Sequence, residues 1–327
     1  MSRIFEALPG IEVPVGAISR GLAQMWEGAA SEGRPSPAGE QSMATQINLV
    51  LHLGFRTEAE DAVAQFGTAV RFSRRYPSRV VVLCPMLDDA GVASMRGKVY
   101  GECSIGKSAD DTRCCEFVML SYPRSARAYL EDQVSICLST DLPVYYWAHR
   151  FSESAKLADY RYLLNTARRI LIDSATAPAD ALSYAWPHSE NVRDLAFARL
   201  LPVRQSVGQF LGRYPVDVLA KGLVSVNLAH GPEVAAEARV LLSWVRERIG
   251  ACGTSAERVE LAQPAGMAPR GFALTFAYDD RRSFAWRADL ATAHAAFDAD
   301  FGTGRTAMPA SVALLSPENA LSDAMFF

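Results

Sequence analysis

Two apolar runs of strand length, each framed by charges, do most to limit what this chain can become. Leu142-Pro143-Val144-Tyr145-Tyr146-Trp147 follows Thr140-Asp141, and Ile170-Leu171-Ile172 lies between Arg168-Arg169 and Asp173-Ser174. Continuous apolar runs bounded by charged residues are expected of interior strands covered on both faces. Ile47–Leu53 and Arg79–Leu83 read the same way, and Met95–Cys103 and Cys115–Ser121 look like two further strands.

Helical patterns separate these runs. Thr57 is placed to cap a helix with Glu60 closing a capping box, and Val63, Phe66 and Val70 line one face. Ser125 opens a second helix carrying Leu130, Val134, Cys137 and Leu138, and a third follows Ser152 with Leu157, Tyr160 and Leu164. Alternation of this kind predicts an α/β fold with a largely parallel or mixed, covered sheet.

From Asn191 a longer helical stretch begins, which Pro202 should kink or divide. Leu223–Leu228 is a strand; Pro232 suits a first helical position, Val234, Ala238, Leu241, Val245 and Ile249 share a face, and Gly250 ends the helix. Strands are expected over Arg258–Leu261, Phe272–Tyr278 and Ser283–Arg287. The order strand, helix, strand, strand, strand thus occurs twice. The expected class is mixed α/β with two β-α-β-β-β-containing halves, and a true duplication requires the same strand order in both sheets. The Pro- and Gly-rich loop Gly33–Gly39 suggests an N-terminal arm and linker over 1–40, an α/β domain over 41–190 and a second over 191–327.

A chain of 327 residues, half of them apolar and a fifth charged, has ordinary globular composition. Its net charge of −3, with no basic run, argues against nucleic acid as a partner. Without an apolar stretch of about 20 residues or a signal-peptide core, the expectation is a cytoplasmic protein with no membrane partner. The six cysteines show no C-x-x-C and no metal-ligand cadence with the five histidines, so they read as thiols in a reducing compartment.

Gly101-Glu102-Cys103-Ser104-Ile105-Gly106-Lys107-Ser108 fits the phosphate-loop pattern G-x-x-x-x-G-K-[ST], and Asp173 would then stand where a magnesium-orienting carboxylate belongs. A phosphate loop must run from a strand straight into a helix, whereas Ser108 is followed by a polar, turn-like stretch. A hairpin turn is the better reading. The alternative, a nucleotide- or sugar-phosphate-binding enzyme using that loop, depends on Lys107.

Other groups are read against plain structural roles. Asp141 and Pro143 redirect the chain into a strand, or Asp141 meets a partner. Tyr145 and Trp147 share one strand face and Tyr146 takes the other, and both faces suit a core. Arg169 and Asp173 share a face but lie about 13 Å apart at strand rise, so each needs another partner, for which Asp194, Arg199 and Arg204 are candidates. They form either a buried arginine–carboxylate network or an exposed cluster that grips carboxylates or a sugar phosphate. His149, His188 and His230 have no nucleophile at catalytic spacing, and G-x-S-x-G, H-E-x-x-H and G-x-G-x-x-G are absent. No catalytic residue, cofactor or metal site is expected.

Three blocks in this order, Thr140–Trp147, Arg168–Ser174 and Arg193–Leu200 with Arg204 beyond, resemble the glucose-6-phosphate dehydrogenase assembly protein (OpcA) family. The resemblance is strongest from Arg79 to Gln209 and adds Arg79–Leu83 and Gly101–Cys103. Where the family commonly shows tryptophan, this chain has Tyr146, Phe197 and Val203. The resemblance implies a non-catalytic protein that binds and allosterically activates glucose-6-phosphate dehydrogenase, in the pentose phosphate pathway. It places Asp141, Pro143, Trp147, Arg169, Asp173, Asp194, Arg199 and Arg204 in the family motifs as candidate partner contacts.

Overall fold

The computed structural model describes residues 3–37, 45–86, 94–105 and 112–327. The tail of the expected loop Gly33–Gly39, and with it Lys107 and Ser108, lies outside the described residues. The chain divides into two compact units, 1–195 with 317–327, and 196–316.

In the first unit α1 (Arg3–Ala7), β1 (Ile11–Val13) and α2 (Ile18–Ser31) precede β2 (Ile47–Leu53), α3 (Ala59–Arg75) and β3 (Ser78–Pro85). The long hairpin of β4 (Arg96–Ile105) and β5 (Thr112–Tyr122) follows, then α4 (Leu130–Cys137) and β6 (Val144–His149). Short helices α5 (Ser154–Leu157) and α6 (Arg161–Thr166) lead to β7 (Ala167–Ile172) and β8 (Val192–Asp194). The sheet order is β1-β4-β5-β3-β2-β6-β7-β8. From β5 to β8 every neighbouring pair is parallel, and β1 and β4 close one edge with antiparallel pairs. All seven residues of β2 are buried, as a strand covered on both faces requires.

The expected capping box does not form: α3 starts at Ala59 after Glu58, and the buried Thr57 Oγ1 has no hydrogen-bond partner. Acidic Glu60 and Asp61 in its first turn and Arg74 and Arg75 in its last still suit the helix dipole. Within the segment expected as an N-terminal arm, α1, β1 and α2 are the described elements. β1 pairs with β4, and the buried Lys98 donates through Nζ to the carbonyls of Phe5 (2.7 Å) and Leu8 (3.0 Å).

The second unit begins within α7 (Leu195–Arg199) and holds α8 (Leu201–Leu211), α9 (Val216–Ala220), β9 (Leu223–His230), α10 (Ala235–Ala251) and β10 (Arg258–Ala262). A meander of β11 (Gly271–Tyr278), β12 (Ser283–Asp289), β13 (His294–Asp300) and β14 (Arg305–Ser311) completes it. Pro202 does divide the helical stretch, falling in the first turn of α8. The sheet order is β10-β9-β11-β12-β13-β14, with β9 and β10 parallel and the rest antiparallel. Phe272, Leu274, Phe276, Phe284, Trp286 and Phe297 bury one face among α8 and α10 residues such as Val207, Phe210 and Leu241.

Both sheets are mixed, as expected, but duplication fails. In the first unit the hairpin strand β5 lies beyond β3, whereas in the second β11 pairs on the far side of β9 from β10. The terminal helix α11 (Pro317–Phe326) belongs with the first unit, where Phe326 packs on Tyr145 and Tyr76.

Candidate functional site

Parallel strands gather their ends. The carboxyl ends of β2, β3, β5, β6, β7 and β8 carry His52, Pro85, Tyr122, His149, Asp173 and Asp194 along one rim of the first sheet. The chain leaves β2 through α3 to β3 on one side, and leaves β6 through α5 and α6 to β7 on the other. The crevice between β2 and β6 is therefore the switch point of the sheet, where open α/β folds bind ligands.

At that point the two chain segments nearly touch. Gly54 N donates to His149 O (2.7 Å), and a Cβ on Gly54 would lie 2.4 Å from Arg150 O. Arg150 itself is left-handed, with φ 47°. Only glycine fits opposite it. Asp61, in the first turn of α3, locks the corner. Its Oδ2 lies 2.8 Å from His149 Nε2 and 2.6 Å from Arg150 Nε, and Oδ1 accepts from Gln65 Nε2 (3.0 Å). Burial alone would raise the Asp61 carboxyl, but hydrogen bonds from His149 and Gln65 and the charges of His149 and Arg150 hold it down to about 2.

The floor of the crevice is a buried polar chain. His52 Nδ1 is 2.6 Å from Tyr146 Oη, His52 Nε2 is 3.0 Å from Tyr122 Oη, and Tyr122 Oη is 2.9 Å from Tyr160 Oη. Burial, and secondarily the Arg127 charge, push His52 down to about 3, so the ring is neutral. Burial also pushes up all three tyrosine hydroxyls, which stay protonated. Sequence reading passed over His52, and its one signal is a polar residue inside an otherwise apolar strand.

The eight motif residues do not assemble into one compact site. Asp141 is exposed and Pro143 half-buried at the amino end of β6, and Arg169 lies near the amino end of β7. Asp173 and Asp194 lie at the carboxyl ends of β7 and β8. Trp147 is buried between these levels, 3% exposed, against His149. The turn before β6 is held by the buried Asn48, whose amide donates to Ser139 O (2.8 Å) and Leu142 O (3.2 Å) while Oδ1 accepts from Ser139 N (3.0 Å). Asp194 accepts from both the amide (3.0 Å) and the hydroxyl (2.8 Å) of Ser174, and Asp173 Oδ1 accepts from Ala175 N (3.0 Å). Both carboxylates therefore shape the turn after β7.

In the second unit Arg199 Nε donates to Glu237 Oε1 at 2.6 Å, and Arg204 stacks 3.6 Å over the ring of Phe197 while donating to its carbonyl. Back in the first unit, burial and the charge of Arg169 lower the Arg193 guanidinium, so two like charges share the end of the sheet. Gly101–Ile105 are strand, paired antiparallel to β5, so the phosphate-loop pattern starts inside a hairpin. Its disulfide corrects the all-thiol reading: directly opposed Cys103 and Cys114 are bonded, with Cα atoms 4.0 Å apart. The strand register sets the two residues opposite one another, a pairing that residue spacing alone did not reveal. Among the described residues no three His, Cys, Asp or Glu side chains group to hold a metal, and no helix is long and apolar enough to cross a membrane.

Strand order and rim define an α/β protein whose polar groups collect at the ends of a parallel sheet. Residues 69–185, about a third of the chain, match the family described as glucose-6-phosphate dehydrogenase subunit N-terminal domain, the OpcA assembly family, which bears out the resemblance over that segment. No curated protein matches the chain. A crystal structure of an oxidoreductase from Sinorhizobium meliloti aligns with a TM-score of 0.45 at 8% identity, covering 85% of this chain and 86% of that one.

Proposed function

We propose that this chain is a non-catalytic assembly factor that binds glucose-6-phosphate dehydrogenase and shifts it towards its active conformation. The family match over 69–185 carries this reading, since it spans α3's last turns, β3 to β7 and the turn after β7. Such a factor activates only by binding the active dehydrogenase more tightly than the inactive one.

The docking face we assign runs along the amino ends of β6 and β7 and the β8 edge. Asp141 and Arg168 are exposed there, and Arg169 and Arg193 present neighbouring positive charges that a partner carboxylate would relieve. Trp147 packs inside β6 behind that face, while Asp173 and Asp194 fix the turn at Ser174 at the opposite end of the sheet. Pro143 sets the path into β6, and Arg199 and Arg204 order the start of the second unit. The test is co-elution of the purified chain with its own organism's dehydrogenase, together with a rate assay. Complex formation with a raised rate, weakened by Arg169→Glu, is the expected result; no complex and no change in rate would reject it.

A further inference from the structure

A cavity of about 410 Å³ lies against the first sheet between α2 and α4. Its floor holds two cross-strand neighbours, Arg79 of β3 and Glu116 of β5, on the face that otherwise carries Val81, Leu83, Val118 and Leu120. Leu22, Trp26, Val118 and Ile136 give it apolar and aromatic walls. Arg79 Nη2 donates to Glu116 Oε2 at 2.5 Å, and Trp26 Nε1 donates to Oε1 at 3.0 Å. A face packed for stability alone does not need this pair, because apolar residues in place of a buried ion pair are often neutral or stabilising.

The lining carries no net charge. Arg79 and Glu116 cancel, and burial pushes the Cys137 thiol up to about 11, so it stays protonated. The pair selects by hydrogen bonding rather than by charge. Among the described residues nothing else accepts from Arg79, whose Nε is buried without a partner and whose side chain keeps 26% exposure. Each oxygen of the buried Glu116 accepts once and keeps a lone pair. The floor therefore sets a donor beside an acceptor. Its complement is a C=O next to an N–H, the edge of a cyclic amide.

We propose that this cavity binds a neutral heterocycle with a lactam edge, an oxopurine or oxopyrimidine as free base or nucleoside. Its C=O accepts from Arg79 and its N–H donates to Glu116, while the walls take the ring faces. Gln133 and Ser19 line the same cavity and serve the remaining polar groups of the ligand. Apolar walls around a few placed polar groups, in a volume within about 300–1,000 Å³, are what small-molecule sites have in common. An unsatisfied donor or acceptor in such a place is costly, so a ring without the lactam edge is rejected.

Titration calorimetry of the full chain with inosine and uridine tests this, with 1-methylinosine and 3-methyluridine, whose lactam N–H is blocked, as controls. Saturable binding of at least one nucleoside is expected, with its methylated form weaker by about tenfold or more. Which nucleoside binds distinguishes purine from pyrimidine. Ala23 is exposed on α2 and lines the cavity, so Ala23→Phe should keep the native circular dichroism while filling the space and weakening binding about tenfold. That variant stays interpretable even if Glu116→Gln, expected to weaken binding likewise, does not fold. No saturable binding of either nucleoside, equal affinity for the methylated form, or binding unchanged in Ala23→Phe would overturn the assignment. Docking to the dehydrogenase is read by co-elution and stands or falls apart from this site.

Discussion

The carboxylate of Asp61 stands 2.8 Å from His149 Nε2, tying the first turn of α3 to the last residue of β6. Both partners are largely withdrawn from water, at 20% and 5% side-chain exposure, and Gln65 and Arg150 complete the surroundings of the carboxylate. Asp61→Asn should therefore destabilise the first unit by about 1–3 kcal/mol, the cost of leaving a buried, charge-assisted contact unmade. Urea unfolding followed by tryptophan fluorescence at neutral pH measures it.

The same carboxylate predicts an acid limb. Its folded value of about 2 lies below the ordinary 3.8, so its stabilisation is present above pH 4 and is lost as pH falls towards 2. The difference in stability between the native chain and Asp61→Asn should shrink across that window. A difference that stays constant from pH 5 to 2 would remove the ionic account.

His52 gives a second limb at higher pH. Its folded value of about 3 lies far below the ordinary 6.5, so the unfolded chain binds a proton that the fold refuses. Stability contributed by the neutral ring is complete above pH 6.5 and declines as pH falls from there towards 3, by at most about 1.4 kcal/mol per pH unit. His52→Gln should flatten the slope between pH 6.5 and 4.5, whatever its absolute stability.

Asn48 makes three hydrogen bonds to the turn that feeds β6. Asn48→Ala strands Ser139 and Leu142 groups in a buried corner and should cost about 2–3 kcal/mol. Asn48→Asp should be no better, because a carboxylate cannot donate to the two carbonyls. Faster amide exchange at the start of β6 in both variants would locate the damage.

Thiol titration decides the cysteine chemistry. Of six cysteines, Cys84, Cys115, Cys137 and Cys252 are free, and Cys103 is bonded to Cys114. Denatured but unreduced protein should react with four equivalents of thiol reagent and reduced protein with six. Six equivalents in both would show the hairpin to be held by its strand ladder alone.

How far the sequence could be read depends on the distance over which each signal acts. Ile47–Leu53, Arg79–Leu83 and Ile170–Ile172 announce themselves as strands because their own apolar side chains must leave water wherever they pack. The meander strands β13 and β14 were missed because their runs are alanine-rich and interrupted by Pro309. The three-residue β8 was missed because so short a strand has no period to detect. The motif residues were recognisable one by one, yet their placement at opposite ends of the sheet follows only from parallel pairing.

By itself, then, the sequence determined the α/β class, the run of central strands, the division at Pro202 and the family resemblance matched over residues 69–185. Each of these rests on local periodicity, local sterics or adjacent residues. Tertiary structure alone decided that β11 pairs beyond β9, that Cys103 faces Cys114, and that His52 meets Tyr122 and Tyr146 from strands 70 and 94 residues away. Those outcomes are set by which strand lies beside which, a choice made by the burial of whole faces and invisible to any window of neighbouring residues.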